Sequence, residues 1–482
     1  MTKTPTASRG GRRQASEVKP RGTADVMASQ TPARRQDESL RSDVDLLEAV
    51  LERENLKRAW ERVKANKGAA GIDGRSIAAT WEWLKTAEGW TLVREQLRAG
   101  TYSPQPVREV QIPKPSGGMR ELGIPTVLDR LIQQALLQVL TPLFDPHFSN
   151  SSYGFRPKRS AHMAVREAKK YVSEGYGWVV DIDLEKFFDR INHDKLMTRV
   201  ARRVQDRRVL RLIRSYLEAG VMRDGVCVRN EEGTPQGGPL SPLLANIMLD
   251  DLDRFLEQRG HRFLRYADDC NVYVRSRRAG ERVMKAMVRF ITATLSLRVN
   301  EAKSAVDQPK KRKFLGYSFH GRSKLRIASK SIERLKARVR EMTRRNVSIR
   351  LEDRLAMLSR YLTGWMSYFR LAETPSVLRD LDKWIRHRVR VCIWSTWKLP
   401  RTRMRKLEAL GARRDEAWRS AMSRRGRWFI TTLQTVSTAL RLNGCVSRGC
   451  NRSRIDGCNL KALPEPPDTD PYVRWCEGEA GL

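Results

Sequence analysis

Cysteine, histidine and long apolar runs are all scarce in this 482-residue chain, which holds 7 Cys and 6 His. No apolar run approaches the roughly 18–20 residues that cross a bilayer, and the first residues lack the apolar stretch of a secretory signal. Membrane-spanning and secreted readings are therefore disfavoured. An odd, thinly spread set of cysteines makes no disulfide framework and favours a reducing compartment. Acidic residues also run short, with 55 Asp and Glu against 93 Lys and Arg, a formal net charge of +38. With 40% hydrophobic residues, a chain of this length can bury the cores of two to four domains, so it is more than a basic disordered tail. The charge points to a polyanionic partner, nucleic acid first.

The excess is concentrated. Residues 303–430 carry 35 Lys and Arg against 11 Asp and Glu, interleaved with Trp365, Tyr368, Phe369, Trp384, Trp394, Trp397, Trp418 and Trp428. Cations can neutralise phosphates while aromatics build the supporting core or stack on bases. Most of these tryptophans are expected to be core. Residues 1–42 are rich in Ser, Thr, Gly, Pro, Arg and Gln, the composition of a disordered tail. From Asp43 a helical period sets in, closed by Gly68-Ala69-Ala70-Gly71-Ile72-Asp73-Gly74. A helix is predicted from about Val127 to Leu140. The middle alternates strand-like runs (Trp178–Leu184, Phe263–Arg265, Asn271–Val274) with helical stretches (196–217, 242–259, 279–295), which predicts an α+β domain on a small antiparallel sheet. After Ile327 only helical patterns remain, and no solenoid repeat is present.

Two acidic clusters carry the chemistry. Tyr266-Ala267-Asp268-Asp269 sits at the turn of a predicted hairpin, where adjacent carboxylates repel unless a cation lies between them. Some 85 residues upstream, Trp178-Val179-Val180-Asp181-Ile182-Asp183 is an apolar strand ending in acid and leading to Phe187-Phe188-Asp189. Asp181 and Asp183 share one face of that strand, so either can meet the hairpin pair. Three carboxylates around two divalent ions are what in-line phosphoryl transfer requires. Between the clusters lies Gly233-Thr234-Pro235-Gln236-Gly237-Gly238-Pro239-Leu240-Ser241, a tight turn with Ser241 expected as the N-cap of the next helix; its glycines allow close approach to a base pair, and Gln236 can hydrogen-bond in a groove. Upstream, Lys114 and Arg120 flank Pro115-Ser116-Gly117-Gly118, a flexible tip suited to a triphosphate or simply to solvent.

In this order the motifs resemble a reverse transcriptase, specifically the reverse transcriptase/maturase encoded in group II introns, over about Asp43 to Cys450. Asn55-Leu56 through Gly74 resembles the N-terminal extension block and Ser152-Tyr153-Gly154-Phe155-Arg156-Pro157 the second fingers block. The resemblance then runs through Asp183–Asp189, the Pro-Gln-Gly loop, Tyr-Ala-Asp-Asp, Asn300-Glu301-Ala302-Lys303-Ser304 and Phe314-Leu315-Gly316-Tyr317. It implies a right-hand polymerase of α+β class, with fingers and palm over 43–326, a helical thumb or maturase domain over 327–400, a DNA-binding region over 401–444 and a tail over 445–482. Asp183, Asp268 and Asp269 would be the catalytic acids and ligands of two Mg²⁺ ions. The family spacing selects Asp183 over Asp181 and pairs it with Phe188, the residue that would clash with a 2′-hydroxyl. Lys114, Arg120, Phe188 and Gln236 would bind the dNTP, and Lys303 would lie near the primer end.

The stretch Leu358–Phe369 and Trp384-Ile385-Arg386-His387-Arg388-Val389-Arg390 resemble the maturase domain. Arg156, Arg360, Trp365, Arg386, Arg388 and Arg390 are the nucleic-acid-binding residues so implied. The partners implied are group II intron RNA, template RNA, primer or target DNA and dNTPs, with no membrane, in a bacterial cytoplasm; a dimer is among the open oligomeric states. The function implied is RNA-directed DNA synthesis, splicing assistance and target-primed cDNA synthesis. Alternatives are a maturase with secondary polymerase activity, or a domesticated reverse transcriptase in defence or repair. No histidine follows His387, so a His-Asn-His endonuclease is not expected, and insertion into DNA that exposes a single strand is the expected route. Cys445, Cys450, Cys458 and Cys476 are spaced too loosely to define a zinc site.

Overall fold

The computed structural model describes residues 45–440, apart from 114–117, 224–225, 229–231, 235, 322 and 345–348. Lys114, the two terminal tails and the four C-terminal cysteines lie outside the described residues.

Four helices between Leu46 and Ala99 precede the first strands, β1 (Val107–Pro113) and β2 (Met119–Ile124). The Val127–Phe144 helix follows, longer than its predicted span; Thr126 caps it, its hydroxyl accepting from the Asp129 amide. After the Ala161–Ser173 helix comes β3 (Trp178–Ile182), then two helices, His193–Ala201 and Arg207–Glu218. One continuous helix was expected over 196–217; Asp206 interrupts it by capping the second, its carboxylate accepting from the Arg208 and Val209 amides. Two three-residue strands, β4 (Val221–Arg223) and β5 (Val226–Val228), lead to the Ser241–Gln258 helix. Leu240, not Ser241, occupies its N-cap: Ser241 is already helical, and Pro242 in the first turn needs no donor.

The hairpin β6 (Arg262–Tyr266) and β7 (Asp269–Val274), the Arg277–Phe290 helix and the short β8 (Ala305–Asp307) complete the acid-bearing sheet. Its order is β6-β7-β3-β8, antiparallel throughout, with β3 and β7 central. The runs Val179-Val180 and Val272-Tyr273-Val274 are buried there, as expected of strands covered on both faces. A second sheet, β2-β1-β4-β5, holds the Arg120 hairpin. The last strands, β9 (Tyr317–His320) and β10 (Lys324–Ile327), form a separate hairpin. Helices Ser329–Met342, Leu351–Tyr368, Pro375–Thr396 and four shorter ones reaching Ala439 make up the rest.

Four apolar clusters hold the chain together. The largest runs from Leu47 to Leu297 and takes in Val180, Ile182, Phe263, Cys270, Val272 and Val274 of the acid-bearing sheet. The second joins the Ala161–Ser173 helix and the strands Val179, Leu264 and Tyr273 to the β9–β10 hairpin and to Phe369. A third packs Leu335, Leu358, Leu362, Leu381 and Ile385 among the long basic helices, and a fourth surrounds Trp394. The tryptophans divide: Trp394 is fully buried, while Trp418 and Trp428 are about half exposed. Among the described residues, no helix is long and apolar enough to cross a membrane.

Candidate active site

Register brings the two acidic clusters together. Ile182 pairs with Cys270 and Tyr266 with Asp269, so the step beyond Ile182 sets Asp183 level with Asp269. Ala267 and Asp268 form the two-residue turn, with Ala267 at φ +58°, the left-handed conformation a tight hairpin demands. An alanine accepts that conformation only where its surroundings impose it. Arg265 supplies one restraint: its fully buried guanidinium grips both oxygens of Asp253 at 2.7 and 2.6 Å and donates to Asn246 Oδ1 at 2.9 Å and to the Ala267 carbonyl at 3.0 Å. A second comes from Ser151–Gly154, which lies along the free edge of β6. Arg265 donates its amide to the Ser151 carbonyl, and Tyr153 donates to that of Arg265. Gly154 comes so close that a Cβ there would stand 2.4 Å from the Ala267 nitrogen.

Asp183 is held by the 300–304 loop. The Asn300 amide donates to its carbonyl at 2.8 Å, the Ser304 hydroxyl accepts from its amide at 3.0 Å, and Lys303 Nζ lies 3.4 Å from its carboxylate. Asp181, the rival for this position, is engaged elsewhere: Arg312 Nη2 sits 2.6 Å from its Oδ2.

Asp268 and Asp269 are half-buried. Burial pushes both carboxyls above the usual range. Asp183 adds to the effect on Asp268, and Asp181 and Asp268 add to that on Asp269, where the shift is large; Arg120 and Lys313 oppose it. Among the described residues no three carboxyl, imidazole or thiol groups close into a metal cage. The donor set is nevertheless oxygen-only, clustered and mutually repelling, which suits a hard divalent cation.

The Pro-Gln-Gly loop docks beside these acids. Thr234 donates its amide to the Phe188 carbonyl at 2.7 Å, and Gly233, at φ +93°, is so close to Asp189 that a Cβ would meet its carbonyl at 2.9 Å. On the loop's other side the Gly123 amide donates to the Gln236 carbonyl at 2.7 Å, and Arg120 Nε donates to Gln236 Oε1 at 2.9 Å. Arg120, Phe188 and Gln236 are thereby gathered around one loop.

The expected nucleic-acid-binding residues fare differently. Arg156 is corrected: its side chain is 5% exposed, ion-paired with Asp145 at 2.7 Å and donating to the Asp145, Ser149 and Ser152 carbonyls. It is a clamp inside the protein. Arg386 pairs with the buried Asp382 at 2.7 Å. Arg388 donates to Thr343 Oγ1 and the Arg340 carbonyl, and Arg390 to the Thr431 carbonyl. Trp365 packs on Phe369, ring centres 4.7 Å apart, at the junction of two apolar clusters. Arg360 is exposed. Residue-type reasoning missed Asp253, Asn246, Arg265 and Arg312. The only sequence signal was the basic run Lys310–Lys313 before Phe314.

Comparison with known proteins finds two matching families along the chain. Residues 112–319 match the family "Reverse transcriptase (RNA-dependent DNA polymerase)", and residues 332–410 match "Group II intron, maturase-specific domain". Protein YkfC of Escherichia coli K12 is 39% identical over 220 residues, 44% of this chain and 57% of that protein. The group II intron-encoded protein LtrA of Lactococcus lactis subsp. cremoris is 38% identical over 209 residues, 42% of this chain and 34% of LtrA. A 91 kDa protein in the cob intron of Schizosaccharomyces pombe is 34% identical over 43% of this chain and 25% of its own length. The chain thus spans between a quarter and somewhat over half of these curated relatives. Residues 112–319 are thus similar to a reverse transcriptase domain and residues 332–410 to a group II intron maturase-specific domain.

Proposed function

We propose that the chain is an RNA-directed DNA polymerase that binds its group II intron RNA, assists splicing and performs target-primed cDNA synthesis. One observation carries the reading: a single sheet presents Asp183, Asp268 and Asp269 together, beside a loop that gathers Phe188, Gln236 and Arg120. When bound, two Mg²⁺ ions held by the three aspartates would activate the primer 3′-hydroxyl and stabilise the leaving pyrophosphate.

The remaining work falls to the chain. Arg120, tied to Gln236, presents cationic donors toward the triphosphate, with Lys114 as the other fingers cation. Phe188 stands where a 2′-hydroxyl would collide, and Gln236 lines the nascent pair. Lys303 faces Asp183 from the primer side. The basic helices beyond Ser329 supply the phosphate-binding surface; A-form RNA is recognised mainly by shape, phosphates and 2′-hydroxyls, which suits such a surface.

The test is primer extension on an RNA template with Mg²⁺, alongside binding and splicing of the intron at low Mg²⁺. Asp268→Ala should abolish extension and leave intron RNA binding largely intact. Extension by that variant sinks the assignment. Splicing assistance without extension by the wild type would favour a maturase alone, and extension without intron binding a defence or repair polymerase.

A further inference from the structure

Asp181 is a fourth carboxylate at the site. It lies two residues before Asp183 on the same face of β3, paired across to Asn271 of β7 and Ala305 of β8. A fourth negative charge so placed would compete for cations, yet it is met by Arg312, 131 residues later, from the loop between β8 and β9.

Arg312 makes two attachments at once. Its Nε and Nη2 donate to Asp181 Oδ2 at 2.8 and 2.6 Å, and Nη2 also donates to the Lys303 carbonyl at 2.5 Å. The ion pair is largely shielded, with side chains 26% and 15% exposed. Lys303 in turn places its ammonium 3.4 Å from Asp183. A planar guanidinium can span a carboxylate and a carbonyl together; an ammonium is a single point of charge.

We propose that Arg312 is a positioning residue of the polymerase site, pairing with Asp181 to keep that carboxylate out of the cation-binding set while holding the loop that sets Lys303 against Asp183. The proposal rests on the polymerase reading above.

The test uses the full chain and two readouts: Mn²⁺ binding, followed by the electron paramagnetic resonance of free Mn²⁺, and single-nucleotide primer extension with Mg²⁺. Arg312→Gln should take up an additional Mn²⁺ ion or bind Mn²⁺ at least threefold more tightly, and extension should fall at least tenfold. Arg312→Gln/Asp181→Asn should return Mn²⁺ binding to within threefold of wild type and recover part of the lost extension, the rest being lost with the donor to the Lys303 carbonyl. Unchanged Mn²⁺ binding in Arg312→Gln, or a double variant as impaired as the single, overturns the proposal. Should Arg312→Gln fail to fold, Asp181→Asn decides: Mn²⁺ binding unchanged supports the proposal, while weakening like that of Asp183→Asn makes Asp181 a ligand and overturns it. A wild-type chain that extends no primer defeats the polymerase reading, and the Mn²⁺ measurements still judge Arg312.

Discussion

The Arg265 guanidinium and the Asp253 carboxylate meet with neither side chain exposed, and the same guanidinium reaches the Ala267 carbonyl in the turn that carries Asp268. Removing one partner of a buried pair strands the other, at about 3–5 kcal/mol. Asp253→Asn and Arg265→Met should each lower stability by that order in denaturant unfolding. Replacing both at once, as Arg265→Met/Asp253→Leu, should recover much of the loss, since a well-packed apolar pair substitutes for a buried ion pair. Primer extension should stay depressed in the double variant, because the donor to Ala267 is gone.

Arg156 and Arg360 make a contrasting pair of basic residues. Arg156→Met strips four part-buried hydrogen bonds to carbonyl and carboxylate groups and should destabilise the fold by roughly 2 kcal/mol, with the salt dependence of RNA binding unaltered. Arg360→Ala, on an exposed helix face, should leave the melting temperature within a degree or so and reduce the slope of log K against log salt by about 0.7–0.9 if it engages one phosphate. Salt titrations of RNA affinity and thermal melts of both variants separate the roles.

Gly154→Ala tests how tightly the Ser151–Gly154 segment fixes the turn that carries Asp268. The added methyl would lie 2.4 Å from the Ala267 nitrogen and 3.0 Å from the Tyr266 carbonyl carbon, so backbone must move. Overpacking of this kind destabilises by about 1–3 kcal/mol, and displacement of Asp268 should slow extension roughly 10- to 100-fold. The expected signature is a rate loss larger than the stability loss explains, in single-turnover kinetics at saturating nucleotide.

Glu373 gives a pH-dependent prediction. Its carboxylate accepts from Lys169 Nζ at 2.6 Å and from the Leu325 amide at 2.9 Å, and these contacts hold its pKa below the ordinary glutamate value. A depressed folded pKa means stabilisation that is present above the unfolded value, near 4.3, and is lost as pH falls through the lower folded value. Both side chains of the ion pair are more than a third exposed, so the effect is small. Glu373→Gln should melt slightly below wild type at pH 7, and the difference should vanish toward pH 3.

The central strands were legible because Trp178-Val179-Val180 and Asn271-Val272-Tyr273-Val274 combine β-branched and aromatic residues in runs of strand length. β4, β5, β8, β9 and β10 span three or four residues each, too few for a period to emerge, and partners distant in sequence define them. The acids were legible by type and spacing. What surrounds them was not: Arg156 was implied as a nucleic-acid-binding residue and Arg312 was not singled out, and the partners of both include the backbone carbonyls of Ser149, Ser152 and Lys303, which leave no mark in a sequence. Choosing Asp183 over Asp181 needed the family spacing; the structure adds that Asp181 is already paired with Arg312.

The second apolar cluster has a bearing on how such chains can be recombined. Phe369, at the end of the Leu351–Tyr368 helix, packs among residues of the Ala161–Ser173 helix, strands β3, β6 and β7 and the β9–β10 hairpin, while the Tyr317 hydroxyl donates to the Tyr368 carbonyl and the Tyr368 hydroxyl to that of Leu315. A cut at residue 327 would divide one core between two fragments. In a chimera that borrows its basic helices from a relative, the crossover has to carry the hairpin's contact surface along with them, so the acid-bearing sheet and the basic helices are inherited as a matched set.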